Sequence, residues 1–131
     1  MTAVLVRALG SGRMTTDAPT DLHALADELL GTATSEHAGR AGRTLAHPVD
    51  GLRQTVIALR SGAELGEHES PGPASVLVLR GRVRLVAGET SVALAAHGFS
   101  PVPDRRHSLH ADEDSVVLLS VSVPDRAPVA D

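Results

Sequence analysis

The sequence predicts an all-β fold, a closed barrel or double sheet preceded by one short helix, and three observations carry that expectation. From residue 43 onward the apolar residues recur with a period of two, in short runs separated by turn residues. Upstream, a single stretch has the 3.6-residue period of a helix. The third observation is composition: Phe99 is the only aromatic residue, so the core must be built from Val, Leu, Ile and Ala. The β-type runs are "RTLA", "LRQTVIALR", "AELGEH", "SVLVLR", "RVRLVAG", "TSVALA", "FSPVP", "HSLHA" and "SVVLLSVSV". Nine short strands are too many for one open sheet in a chain of 131 residues, and closure removes exposed edges.

The helix comes first in the chain. Leu22, Leu25, Ala26, Leu29 and Leu30 lie at i, i+3, i+4, i+7 and i+8, with Thr20 or Asp21 as cap and Gly31 as stop. Its apolar stripe demands cover, expected from a β-sheet or a second subunit, with the helix over an open end or edge of the barrel. Before it, "GSGRMTTDAPT" is small and polar and reads as part of a flexible leader. The turns fall between the runs: "HPVDG", "RG" at 80–81, "AGET" at 87–90 and "ADED" at 111–114. In "RVRL" the alternation puts Val83 and Leu85 on one face. The resulting organisation is a leader at 1–19, a helix and connecting segment at 20–51, a barrel at 52–123 and a tail at 124–131.

Composition excludes several functions. All twelve basic residues are Arg, against sixteen acidic ones, for a net charge of −4. Nucleic-acid binders need a basic footprint, and single-strand binders add aromatic platforms, so a nucleic-acid partner is not expected. With no cysteine, thiolate metal sites and thiol nucleophiles are ruled out, leaving histidine and carboxylate as ligand types. The opening apolar stretch is interrupted by Arg7, too weak for a signal-peptide core and too short for a membrane span. A cytoplasmic location without membrane contact is the default expectation. No G-x-S-x-G elbow and no glycine-rich strand-to-helix loop is present.

Two motifs remain. Gly62 is followed after five residues by His68, and Gly81 closes the same stretch; later, Pro103 and His107 stand in "PVPDRRHSL", with Gly98 just upstream. In order and spacing these resemble the two motifs of the cupin superfamily over residues 52–123. The resemblance implies a jelly-roll barrel, a double-stranded β-helix. In metal-binding cupins an H-x-H pair, a glutamate and a second-motif histidine hold one metal. Here the second histidine position is Ser70 and the glutamate position is Ala74, so only His68 and His107 match. Two histidines alone make a weak, water-rich site, and a divalent metal stays an open cofactor assignment. His110 and Glu69 would complete the set if a bulge reversed their facing.

The reading that follows is a small cupin holding a small organic molecule in its barrel. His68 and His107 are its catalytic candidates, as acid and base near neutral pH, and also its metal candidates. Ser70, Arg105 and Arg106 are the substrate-binding candidates, the arginines because a bidentate fork suits an acidic ligand. The alternatives are a metal-dependent oxygenase or isomerase and a non-catalytic sensing or assembly module. His97 reads as a turn residue, and His23, His37 and His47 as surface. The family resemblance also implies a homodimer, for which the helical stripe and the run "SVVLLSVSV" supply an apolar motive.

Overall fold

The computed structural model describes residues 19–45, 51–68 and 72–123, so most of the leader, most of the "HPVDG" turn, Glu69, Ser70 and the tail at 124–131 lie outside the described residues. Helix α1 spans Leu22–Ser35. Nine strands follow among the described residues: β1 Arg40–Thr44, β2 Leu52–Leu59, β3 Glu64–His68, β4 Ala74–Arg80, β5 Arg82–Ala87, β6 Thr90–Ala95, β7 Phe99–Pro101, β8 His107–Ala111 and β9 Ser115–Ser122. They form two antiparallel sheets, one of five strands in the order β1-β2-β9-β4-β7 and one of four in the order β3-β8-β5-β6.

The two sheets face each other across an aliphatic core. Leu59, Val76, Val78 and Val117 from the first meet Val83, Leu85, Leu109 and Ala111 from the second, and all are buried. Val83 and Leu85 share the inner face, as the alternation requires. Gly81, in the β4–β5 turn, has φ +86°, and a Cβ there would collide with the Ser115 hydroxyl and the Asp114 carbonyl. That hydroxyl is fully buried, accepts from the Arg82 amide at 3.0 Å and donates to the Glu113 carbonyl at 2.7 Å. The glycine that closes the first motif therefore has a steric reason to be glycine.

The helix departs from expectation in its length. It does not stop at Gly31 but runs to Ser35. Ala33 is fully buried beneath it, and the Thr34 and Ser35 hydroxyls bond back to the Leu30 and Gly31 carbonyls, so packing outweighs the glycine. Its apolar stripe is covered by a β-sheet, as expected, on the outer face over β1, β2 and β9, toward the β1 edge rather than across an open end. Leu25, Ala26, Leu29 and Ala33 lie on Val56, Ala58 and Val116, the outer face of the five-stranded sheet. Each leucine so buried is worth about 1.5–3 kcal/mol. Asp21 is the cap, accepting from the His23 and Ala24 amides at 3.0 and 3.2 Å. Two ion pairs pin the helix down, Arg43 to Glu28 at 2.5 Å and Arg80 to Asp27 at 2.7 Å.

The first strand also differs, running Arg40–Thr44 rather than through "RTLA". The glycine-rich residues before it pair with β2, Arg40 opposite Leu59 and Gly42 opposite Ile57, because an edge strand along β2 satisfies backbone that would otherwise be a loop. This strand, drawn from the connecting segment, is part of the five-stranded sheet.

Candidate functional site

The end of the barrel where β8 begins brings the motif residues together along the backbone. β3 pairs with β8 as Glu64 to His110 and Leu65 to Leu109, then slips by one, so that His68 stands opposite His107. Gly66 and Glu67 both face the single residue Ser108, which is a β-bulge. Without the bulge, continuation of the register would set Glu67 opposite His107. The one-residue insertion is what makes His68 and His107 Cα partners. The side chain of His68, like all of Ser70 and Glu69, lies outside the described part of the structure.

His107 is buried, at 4% exposure. Its Nδ1 lies 2.8 Å from the Arg105 carbonyl. A carbonyl only accepts, so Nδ1 carries the proton, and in the neutral ring the lone pair is on Nε2. The ring lines a cavity between the sheets whose other described walls are eight aliphatic side chains, among them Leu65, Val76, Leu85, Leu109 and Val117. The space open to water there is about 30 Å³, room for a water molecule or two. Among the described residues the wall is therefore one imidazole set among aliphatic side chains.

Arg105 and Arg106 precede His107 and are exposed. Arg105 reaches the turn between β5 and β6, with Nη2 3.2 Å from the Thr90 hydroxyl and 3.5 Å from the Ala87 carbonyl. It thereby ties the loop before β8 to the same end of the barrel. Ala74, at the motif's glutamate position, opens β4 and pairs with Val121. His110 does not join His107. Alternation along β8 turns it to the outer face, where Nδ1 lies 2.9 Å from a Glu64 carboxylate oxygen. His97 occupies the turn before β7 with φ +73°, and His23 is exposed with its ring against Arg80 at 3.0 Å.

Among the described residues no three histidine or acidic side chains converge to hold a metal ion. The described lining offers one imidazole where metal-binding cupins use four ligands, and its Nδ1–H on the Arg105 carbonyl is the orientation a ligand through Nε2 would have. The aliphatic lining itself is what the motifs did not reveal. Its signal was the set of inward positions on β2, β4, β5 and β9, which alternation marks as core without saying that space is left among them.

No family model matches the chain, and no curated protein matches it. Solved structures do. A conserved protein of unknown function from Streptococcus pyogenes is 32% identical, with a TM-score of 0.61 over 69% of this chain and 79% of that one. A cupin superfamily protein from Desulfitobacterium hafniense is 17% identical, with a TM-score of 0.62 over 70% of this chain and 87% of that one. A salicylate 1,2-dioxygenase from Pseudaminobacter salicylatoxidans is 17% identical, with a TM-score of 0.65 over 76% of this chain but only 33% of the dioxygenase. The chain has the jelly-roll fold of these cupins, with an N-terminal helix. Within that fold it is similar in sequence to the Streptococcus pyogenes protein. No helix among the described residues is long and apolar enough to cross a membrane.

Proposed function

We propose that this small cupin binds a small organic molecule at the His107 end of its barrel, with an apolar portion between the sheets and a polar group on the imidazole. The observation that carries the reading is the one buried imidazole that the described residues place on an aliphatic wall. The small cavity favours a ligand that inserts only a short apolar group, leaving its polar remainder near Arg105 and Arg106, where an acidic group suits the guanidinium charge. His68 and His107 are then the residues to exchange protons with it, and Ser70 belongs to the same proposed set. The dioxygenase of like fold is an enzyme, which agrees with turnover without defining a reaction.

The adjacency of His68 and His107 along the backbone favours a second reading, a metal-dependent oxygenase or isomerase in which both histidines are ligands. A sensing or assembly module that makes contact through the helix is less favoured, since the helical stripe is buried on the chain's own sheet. That burial also removes one motive for a homodimer. The remaining support is exposed apolar surface, Phe99 at 64% exposure above all, and sedimentation at micromolar concentration tests it.

Mass spectrometry of small molecules released from purified protein, with metal analysis of the same sample, tests the assignment. A released organic molecule that raises the melting temperature of the wild type but not of His107→Ala is the expected result. Stoichiometric Fe, Mn, Ni or Zn lost in His68→Ala establishes the metal reading instead. Neither a released molecule nor a metal, together with no thermal shift across a panel of small organic acids, overturns both.

A further inference from the structure

The outer face of the four-stranded sheet carries a constellation that neither barrel motif contains. Ser108 and His110 lie two apart on β8 and so share that face, and β3 places Glu64 directly opposite His110. The Ser108 hydroxyl is 3.0 Å from His110 Nε2, and His110 Nδ1 is 2.9 Å from Glu64 Oε1. The carboxylate only accepts, so Nδ1 holds the proton. In the neutral ring Nε2 then accepts from the hydroxyl. Hydroxyl to imidazole to carboxylate, each link within hydrogen-bond range, is the arrangement that turns a serine into a nucleophile, and it is recognised by geometry rather than by sequence order.

We propose that Ser108, His110 and Glu64 form a second, nucleophilic site, able to take an acyl group from small activated esters. Access fits a small reagent only. Ser108 is 7% exposed, but the bulge sets Gly66 as well as Glu67 opposite it, and among the described residues nothing lies within 4 Å of where a Gly66 side chain would begin. Arg84 is the cross-strand partner of His110 on β5, its Nε held 3.0 Å from Asp112, and it supplies positive charge for a developing oxyanion. The Ser108 oxygen bonds to the ester carbonyl carbon while its proton passes to His110 Nε2. The bond to the departing alcohol oxygen breaks, and that oxygen takes the proton from Nε2. Water then attacks the acyl-serine with His110 as base, releasing the carboxylic acid and restoring the serine hydroxyl. The sum is ester plus water giving acid plus alcohol.

Labelling with a small alkyl fluorophosphonate, followed by peptide mapping, and hydrolysis of p-nitrophenyl acetate test the site. One phosphonyl adduct, on Ser108, is expected in the wild type. Labelling and hydrolysis are expected to vanish in Ser108→Ala, to slow by about 100-fold or more in His110→Asn, and to slow less in Glu64→Gln. Thermal melts of each variant separate lost chemistry from lost fold. A folded wild type without adduct on Ser108 overturns the proposal, and so does a folded His110→Asn that labels at the wild-type rate.

Discussion

Strands β9 and β8 each sit inside a sheet and each turn aliphatic residues inward, Val117 and Leu119 on one, Leu109 and Ala111 on the other, yet their outer faces are opposite in character. On β9 the outward residues beneath the helix are Val116, fully buried, and Leu118, with Ser120 and Ser122 following on the same face beyond it. On β8 they are Ser108 and His110, bonded to each other and to Glu64. The same period-two rule therefore produces two outcomes, decided by whether another element covers the face. A covered face becomes a second core, while a face without the helix keeps polar groups that can do chemistry.

The comparison breaks most severely if a charge is placed under the helix. Val116→Asp should cost about 4 kcal/mol or more, since a fully buried position would hold an unpaired carboxylate, whereas His110→Val on β8 should cost about 1 kcal/mol or less. Urea denaturation of the two variants measures the contrast, and equal losses would mean that the helix is no real cover. Next in size, Leu25→Ala should cost about 3 kcal/mol by opening a cavity where a residue only 6% exposed meets the sheet. Unchanged stability there would show the helix to be undocked.

The alternation along the sequence was enough to place eight of the nine described strands and to assign inner positions such as Val83 and Leu85, because period two is a local signal, while the first strand begins earlier in the chain than the pattern marks. Motif spacing singled out His68 and His107, and the bulged register sets them opposite each other. What stayed hidden depends on contacts between distant segments. Gly31 reads locally as a helix stop, and only burial of Ala33 on the sheet carries the helix past it. Ser108 and His110 are visibly two apart, but Glu64 joins them only through the pairing of β3 with β8, 44 to 46 residues away along the chain. A stripe of leucines likewise says that cover exists without saying which sheet face provides it.

The Gly31 position sharpens the comparison by a smaller amount. It is exposed, lies inside the helix, and has nothing within 4 Å of the place a Cβ would occupy. Gly31→Ala should therefore raise stability by about 0.5–1 kcal/mol, through lower chain entropy and better helix propensity. Thermal or urea melts read the gain. A loss instead would show that the glycine is needed for the fit of the last helical turn on the sheet.

The smallest effect is the acid sensitivity of the helix-covered side. Hydrogen bonding to Arg80, and then its charge, holds the Asp27 carboxyl below the usual carboxylate range, and Arg43 does the same to Glu28. A carboxyl with a lower pKa folded than unfolded stabilises the fold above its unfolded value, near pH 4, and this contribution disappears as the pH falls through the folded value. Both ion pairs are exposed to solvent, with Asp27 at 63% and Glu28 at 57%, so the effect is modest and screened by salt. Melting temperatures followed from pH 6 to about pH 2.5 should fall less steeply in Asp27→Asn/Glu28→Gln than in the wild type, and the difference should shrink at about 1 M salt, where the screening length is only a few ångströms. Superimposable pH profiles for the two proteins would mean that the apolar contact of Leu25, Leu29 and Ala33 alone holds the helix, with the ion pairs adding nothing to its docking.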